Sequence, residues 1–241
     1  EQQPEVSWEQ AKIGDKLYAV PKGNASFSNY DFIVARKDLI DKYGLTEPED
    51  WETFKEFLTE LALQLAEPER ILSGGMIYMT DLLFKPQLVM RLGEIIAQRL
   101  RHLEPEYIMT VETRGIPLAV FVARAFNIPV VMARRVGQIT EGSTVSINYV
   151  SGSSRQIQTM ALPKRALPAS ARVLIIDDFL KAGGTARGMI ELAEEVGAKV
   201  VGKAFFIATQ APEKKMIDDY TALFVLKDID TENRKIDISP L

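Results

Sequence analysis

The chain predicts an α/β fold: an open, mostly parallel sheet with a β-hairpin flap and a small N-terminal α+β segment. Three observations predict it. Short Val- and Ile-rich runs alternate with amphipathic helical stretches from residue 86 onward, the pattern of a parallel sheet covered on both faces. One buried run, Val173–Ile176, leads into two carboxylates and a Gly-rich turn that opens a helix. Between residues 137 and 163 the alternation gives way to a period-two hairpin pattern.

In order, residues 16–20 and 32–35 predict strands around a Gly/Asn/Ser loop at 23–29, and residues 37–43 a short helix stopped by Gly44. Trp51, Phe54, Phe57, Leu58, Leu61 and Leu65 recur at three- and four-residue spacing behind Asp50, an N-cap residue, and predict a helix ending before Pro68. The charged residues between them make this stripe a packing face rather than a base-stacking surface. Pro86 opens a long helix with Leu88, Val89, Leu92, Ile95, Ile96, Arg99 and Leu103 on one stripe. Strands follow at 107–111, 130–133, 173–176, 200–208 and 223–226, with helices at 117–126, 184–196 and 212–220. Residues 144–149 and 156–161 flank Ser151-Gly152-Ser153-Ser154 as a hairpin, and a hairpin inserted at a loop position is often a flap over a site.

Composition narrows the chemistry. The 241 residues contain no cysteine and one histidine, His102. Thiol nucleophiles, thiolate metal sites and sites needing two imidazoles are therefore excluded. His102 sits near Arg99 and Arg101 at a helix end, where a dipole contact accounts for it. No run of about 18 apolar residues occurs, and the polar N-terminus has no signal-peptide pattern. The net charge is −6 over residues 1–60 and +2 over the remainder. With a pI near 5.3, tight nucleic-acid binding is not expected from this chain alone. The mildly basic remainder suits a small anionic ligand.

The sharpest signal is Val173-Leu-Ile-Ile-Asp177-Asp178-Phe-Leu-Lys181-Ala182-Gly183-Gly184-Thr185. Ligands of open α/β sheets bind beyond the carboxyl ends of the strands. A Gly-rich turn backed by a helix N-terminus cradles a phosphate, and the Thr185 hydroxyl adds a donor. Two adjacent carboxylates would repel that phosphate but accept hydrogen bonds from a sugar diol. The pattern asks for a ribose 5-phosphate, with Asp177 and Asp178 on the ring hydroxyls. This requires both carboxylates to reach a cavity.

The stretch resembles the phosphoribosyl diphosphate (PRPP) motif of type I phosphoribosyltransferases, so the resemblance implies that fold. It implies a diphosphate loop at Thr113, Arg114 and Gly115, and a basic position at Arg134-Arg135 after the next strand, where the family usually has Arg-Lys. The segments 67–81 and 140–154, taken with 173–185, narrow the resemblance to the purine operon repressors of Gram-positive bacteria, from about residue 57 to the C-terminus. That family implies a PRPP-binding regulatory domain without known turnover. It binds PRPP or a purine-related nucleotide with Mg2+ carried on the ligand, and it forms a cytoplasmic homodimer that controls purine synthesis. It also implies flap residues Tyr149 and Ser151, and a base or effector pocket at Tyr78, Thr80 and Asp81.

The family's winged helix does not precede residue 57, so DNA binding is not expected here. Residues 11–57 resemble instead a fragment of an extracellular solute-binding protein, through Gly14–Pro21 and Ile33–Gly44. Two domains are thus expected, 1–56 and 57–241, the first either a fused piece or a divergent extension. An active Mg2+-dependent purine phosphoribosyltransferase is the alternative function. A solute-recognition module is a third, resting on the N-terminal segment alone.

Overall fold

The computed structural model describes residues 12–13, 16–17, 19–22, 31–34, 51–73, 75–135, 142–150 and 156–241. The expected helix at 37–43, the loop at 23–29 and Ser151 lie outside them. The chain divides into two compact units, Glu1–Phe54 and Lys55–Leu241. In the first, β1 (Lys12–Ile13) pairs with β2 (Lys16–Leu17) and β3 (Ala19–Lys22) pairs with β4 (Asp31–Val34), both antiparallel. The expected single strand at 16–20 is therefore split between two ladders.

Helix α1 (Trp51–Leu65) matches its predicted span, and its Leu58, Leu61 and Leu65 are buried. The short strands β5 (Ile71–Leu72) and β6 (Met76–Ile77) pair before α2 (Thr80–Leu83) and α3 (Pro86–Leu100). Then come β7 (Tyr107–Val111), α4 (Gly115–Phe126), β8 (Val130–Arg135), β9 (Thr144–Val150), β10 (Ile157–Pro163) and β11 (Arg172–Leu180). The chain closes with α5 (Gly184–Glu195), β12 (Lys199–Thr209), β13 (Thr221–Asp230) and β14 (Lys235–Pro240).

Among the described residues, eight strands join one sheet in the order β14-β13-β12-β11-β7-β8-β10-β9. The five from β13 to β8 run parallel, and β14 at one end and the β9–β10 hairpin at the other are antiparallel. The apolar runs of β7 and β11 are buried along almost their whole length, as a sheet covered on both faces requires. On one face Met109, Val111, Val173 and Ile175 pack with Met189 and Leu192 of α5 and with Tyr149 and Met160 of the hairpin. The other face carries α3 and α4, which pack closely: a Cβ on Gly93 would stand 2.7 Å from the Phe121 backbone.

Three expectations are corrected. Residues 212–220 form no helix, because the segment spends its hydrogen bonds elsewhere: Met216 N donates to Ala182 O at 2.8 Å, and Lys215 Nζ to Pro212 O at 3.0 Å. Strand β11 continues through both aspartates to Leu180, and β13 runs to Asp230. The strand β14 is new. Its turn has no glycine; Asp230 Oδ1 instead accepts from Glu232 N and Asn233 N, an Asx-type turn. Among the described residues no helix is long and apolar enough to cross a membrane.

Candidate functional site

A cavity of about 500 Å3 opens beyond the carboxyl ends of β7, β11, β12 and β13. Parallel strands bring their ends together there, so four sequence-distant segments meet. Asp177 through Thr185 line one side and Glu112–Arg114 another. Leu226–Ile229 of β13 and the apolar segment around β5 and β6 (Leu72, Met76, Ile77, Met79) complete it.

Strand alternation sends successive side chains to opposite faces, yet both aspartates line the cavity, just before β11 ends at Leu180. Asp177 and Asp178 are nearly buried, 7% and 5% exposed. Asp177 Oδ1 accepts from Asp178 N at 2.9 Å. Burial, and then the charge of Asp178, push the Asp177 carboxyl well above the ordinary aspartate range. Arg114 Nε lies 3.1 Å from Asp178 Oδ2, but this oxygen takes no aligned hydrogen bond.

The turn after β11 is shaped by Gly183, whose φ of 89° is a left-handed conformation that an L side chain resists. It caps α5, and the first-turn N–H groups of a helix lack intrahelical acceptors. Lys181, Ala182, Gly183, Gly184 and Thr185 all border the cavity, with the Lys181 side chain exposed. Gly184 and Gly188 serve a second purpose. A Cβ at Gly184 would run into the Val150 carbonyl, and one at Gly188 would stand 3.0 Å from Tyr149 Cβ and Met160 Cε. The loop end of the hairpin thus rests on the first two turns of α5.

Thr113 and Arg114 border the cavity from the turn after β7, where the Glu112–Thr113 peptide is cis. Gly115 lies just behind: a Cβ there would stand 2.5 Å from Asp177 Oδ1 and 2.6 Å from Thr110 Oγ1. Its absence allows β7, β11 and α4 to converge.

Other expected residues lie elsewhere. Arg134 is 3.9 Å from Glu112 Oε1 and does not border the cavity, because β8 is one strand further out. Arg135 ends β8. Tyr149 is a core residue, 6% exposed, with its hydroxyl hydrogen-bonded to Gln158 Oε1 at 2.9 Å. Tyr78, Thr80 and Asp81 are beside the apolar wall but do not border the cavity. Tyr78 points outward, 43% exposed. Asp81 is engaged by Arg70, whose Nη1 and Nη2 donate to its two oxygens at 2.8 and 3.1 Å.

Sequence reasoning missed Arg70, which is 8% exposed and also donates to the carbonyls of Gln64 and Tyr78. An arginine eleven residues before an aspartate carries no pattern of its own. It also missed Thr110, whose buried Oγ1 has no hydrogen-bond partner, and the Leu226–Ile229 wall.

A parallel sheet that gathers an acidic strand end, a phosphate-type turn and a separate apolar wall around one cavity is the architecture of type I phosphoribosyltransferases. Adenine phosphoribosyltransferase from Thermoanaerobacter pseudethanolicus superposes with a TM-score of 0.58 at 21% identity, over 69% of this chain and 98% of that one. The phosphoribosyl transferase domain family matches residues 79–240. The chain is 46% identical over 184 residues to the purine biosynthesis transcriptional repressor PurR of Bacillus subtilis, covering 76% of this chain and 65% of that protein. It is 40% identical over 183 residues to the purine biosynthesis transcriptional activator PurR of Lactococcus lactis strain IL1403, covering 76% of this chain and 68% of that protein. The chain belongs to the phosphoribosyl transferase domain family and, within it, to the branch of these purine biosynthesis regulators. It spans about two thirds of the length of these relatives. The family match begins at residue 79, so it does not bear on the solute-binding resemblance of residues 11–57.

Proposed function

We propose that the cavity binds PRPP, or a purine-related nucleotide of the same shape, and that the chain is the ligand-sensing part of a purine biosynthesis regulator. One observation carries the ligand reading: Asp177, Asp178, the Lys181–Thr185 turn and Arg114 border a single cavity. In this reading the turn and the α5 N-terminus hold the 5-phosphate. Asp178, with Asp177 beside it, accepts from the ribose hydroxyls, and Arg114 with the Thr113–Gly115 backbone meets the diphosphate.

Among the described residues no three His, Asp or Glu side chains form a metal cage. Mg2+ would arrive on the diphosphate rather than in a protein cage, and Asp177 and Asp178 are the carboxylates of the cavity that would face its charge. Its contribution there is to offset phosphoryl charge. The regulator reading is supported by the purine biosynthesis relatives. On this reading the protein is a cytoplasmic homodimer, and DNA binding is not expected of residues 1–241 alone, with a pI near 5.3.

A second reading, turnover to a purine nucleotide, is favoured by the apolar half of the cavity around Leu72, Met76 and Ile77, which has room for a planar base. Titration calorimetry with PRPP, with and without Mg2+, tests the first reading: Mg2+-dependent binding is expected, and no heat at millimolar PRPP refutes it. Incubation with PRPP and each purine base separates the two readings. Nucleotide formation at a steady rate would replace sensing with catalysis.

A further inference from the structure

We propose that Arg70 is a positioning residue that sets how strongly the cavity tells a purine nucleotide from a base-free phosphoribose, by fixing the apolar wall against which a base would lie. The inference rests on the ligand reading above and names the residue that selects within it. Among the described residues Arg70 is the buried cation, and it does not border the cavity. A charge taken out of water is costly unless its bonds are made good inside the protein, so its contacts show what its burial holds together.

Those contacts join three elements. Nε donates to the Gln64 carbonyl in the last turn of α1 at 2.6 Å, with Glu67 Oε2 at 3.5 Å beside it. Nη1 and Nη2 together take both oxygens of Asp81, in the first turn of α2, at 2.8 and 3.1 Å. Nη1 also donates to Tyr78 O at 3.1 Å. Strands β5 and β6 pair Ile71 with Ile77 and Leu72 with Met76, which makes Arg70 and Tyr78 the next rung. A hydrogen-bonded antiparallel rung exchanges two N–H···O bonds. Here Tyr78 N donates to Arg70 O at 2.7 Å, but Arg70 N is spent on Glu67 O at 3.0 Å. The guanidinium supplies the missing donor to Tyr78 O, so the side chain closes a ladder that its own backbone leaves open.

The ladder needs this help. It is two residues long on each side, and so short a hairpin has little stability of its own. Leu72 and Met76 are exposed, so core packing does not hold them, yet both line the cavity with Ile77 and Met79. Arg234, in the turn between β13 and β14, adds a tether from outside, with Nη2 donating to Pro68 O at 3.1 Å. Only part of the ligand class would notice where this wall stands. Ribose 5-phosphate and PRPP carry hydroxyl and phosphoryl groups, which gain nothing from alkyl and thioether surface. A purine ring gains by burial and by sulfur–aromatic contact with the methionines. Displacing the wall therefore weakens nucleotides and leaves base-free ligands as they were.

The test is titration calorimetry of ribose 5-phosphate, PRPP and GMP on the native chain, Arg70→Met, Arg70→Lys and Asp81→Ala, all at positions outside the cavity lining. In Arg70→Met, GMP should bind about tenfold more weakly, with ribose 5-phosphate and PRPP within about twofold of native. Arg70→Lys, which keeps a charge for Asp81 but not the fork that reaches Tyr78 and Gln64 as well, should recover part of the loss. Asp81→Ala, at a partly exposed carboxylate, should show the same pattern at about threefold, and it decides the matter if Arg70→Met does not fold. A fall by one common factor for all three ligands would make Arg70 a support of the fold and nothing more. Unchanged GMP affinity in the variants would remove it from recognition, and a native chain that binds GMP no more tightly than ribose 5-phosphate would leave the wall without a role. Each of these overturns the inference. A native chain that binds none of the three refutes the ligand reading itself, and the inference falls with it.

Discussion

Gly115→Ala tests how closely the acidic strand, the β7 strand and helix α4 approach one another. A methyl group there would meet Asp177 Oδ1 at 2.5 Å, Thr110 Oγ1 at 2.6 Å and Asp177 Cα at 3.2 Å. The carboxyl oxygen is tethered by the Asp178 amide, and the Cα belongs to a central sheet strand, so neither neighbour moves freely. Overpacking of this kind costs about 1–3 kcal/mol. Only a small helix-propensity gain offsets it, since Gly115 is the first residue of its helix. For a unit of this size each kcal/mol shifts Tm by about 2–4 °C, which gives a fall of about 2–12 °C in a thermal melt followed by circular dichroism. Thr110→Ala removes one of the two polar contacts. The double variant should therefore melt above the value expected from adding the single effects. A Gly115→Ala melt within a degree of the native one, with PRPP affinity intact, would show that the three elements do not converge as described.

Three further outcomes are expected. Asp178→Asn should weaken PRPP binding by about 1–3 kcal/mol, through loss of a charge-assisted sugar contact, in the same calorimetry; unchanged affinity would remove Asp178 from the site. Asp177 has a folded-state pKa raised by burial and by Asp178, so its ionisation opposes folding. Its effect is absent in acid and appears as pH rises above the ordinary aspartate value of 3.8. Asp177→Asn should therefore raise the Tm of the ligand-free protein at pH 7 but not near pH 3.5, while weakening PRPP. A lower Tm at pH 7 would contradict it. Asp81 has the opposite sign: its hydrogen bonds to Arg70 hold its pKa below 3.8, so the stability it adds is present above that value and lost as pH falls below it. Asp81→Asn should remove this acid-side loss from a pH series of urea midpoints, and a series that parallels the native one would exclude the contact.

Much of the sheet was legible because each central strand and its helix obey one period without interruption. The aspartates and glycines at 177–185 were legible because carboxylates and a Gly-rich turn at a strand end have few uses in common. The segment 212–220 misled for the opposite reason. Met216, Ile217 and Tyr220 have helical spacing, but the Met216 amide is engaged by the Ala182 carbonyl, a tertiary bond that no local pattern announces. Tyr149 lies in the expected hairpin but packs inward: alternation along β9 groups it with Val145 and Ile147, whereas Ser146, Asn148 and Val150 face out. The base pocket expected at Tyr78, Thr80 and Asp81 falls beside the apolar wall of the cavity rather than in its lining. The polar residues Thr80 and Asp81 drew attention, while the cavity is faced by Met76, Ile77 and Met79. Arg70 and its partner, far apart in sequence, could be joined only once the chain was folded.

Gly184 of the PRPP-type motif, and Gly188 one turn beyond it, answer to packing as well as to any ligand. Gly184 leaves room for the Val150 carbonyl and Gly188 for the Tyr149 ring, so a side chain at either would displace the hairpin whether or not any phosphate ever arrives. A descendant that had abandoned its ligand would still be obliged to keep a bare backbone at both places for as long as it kept the hairpin. The Gly-Gly-Thr signature is therefore a record of architecture as much as of binding, and the surer sign of a working site is the pair of acids, which the packing alone gives no reason to retain.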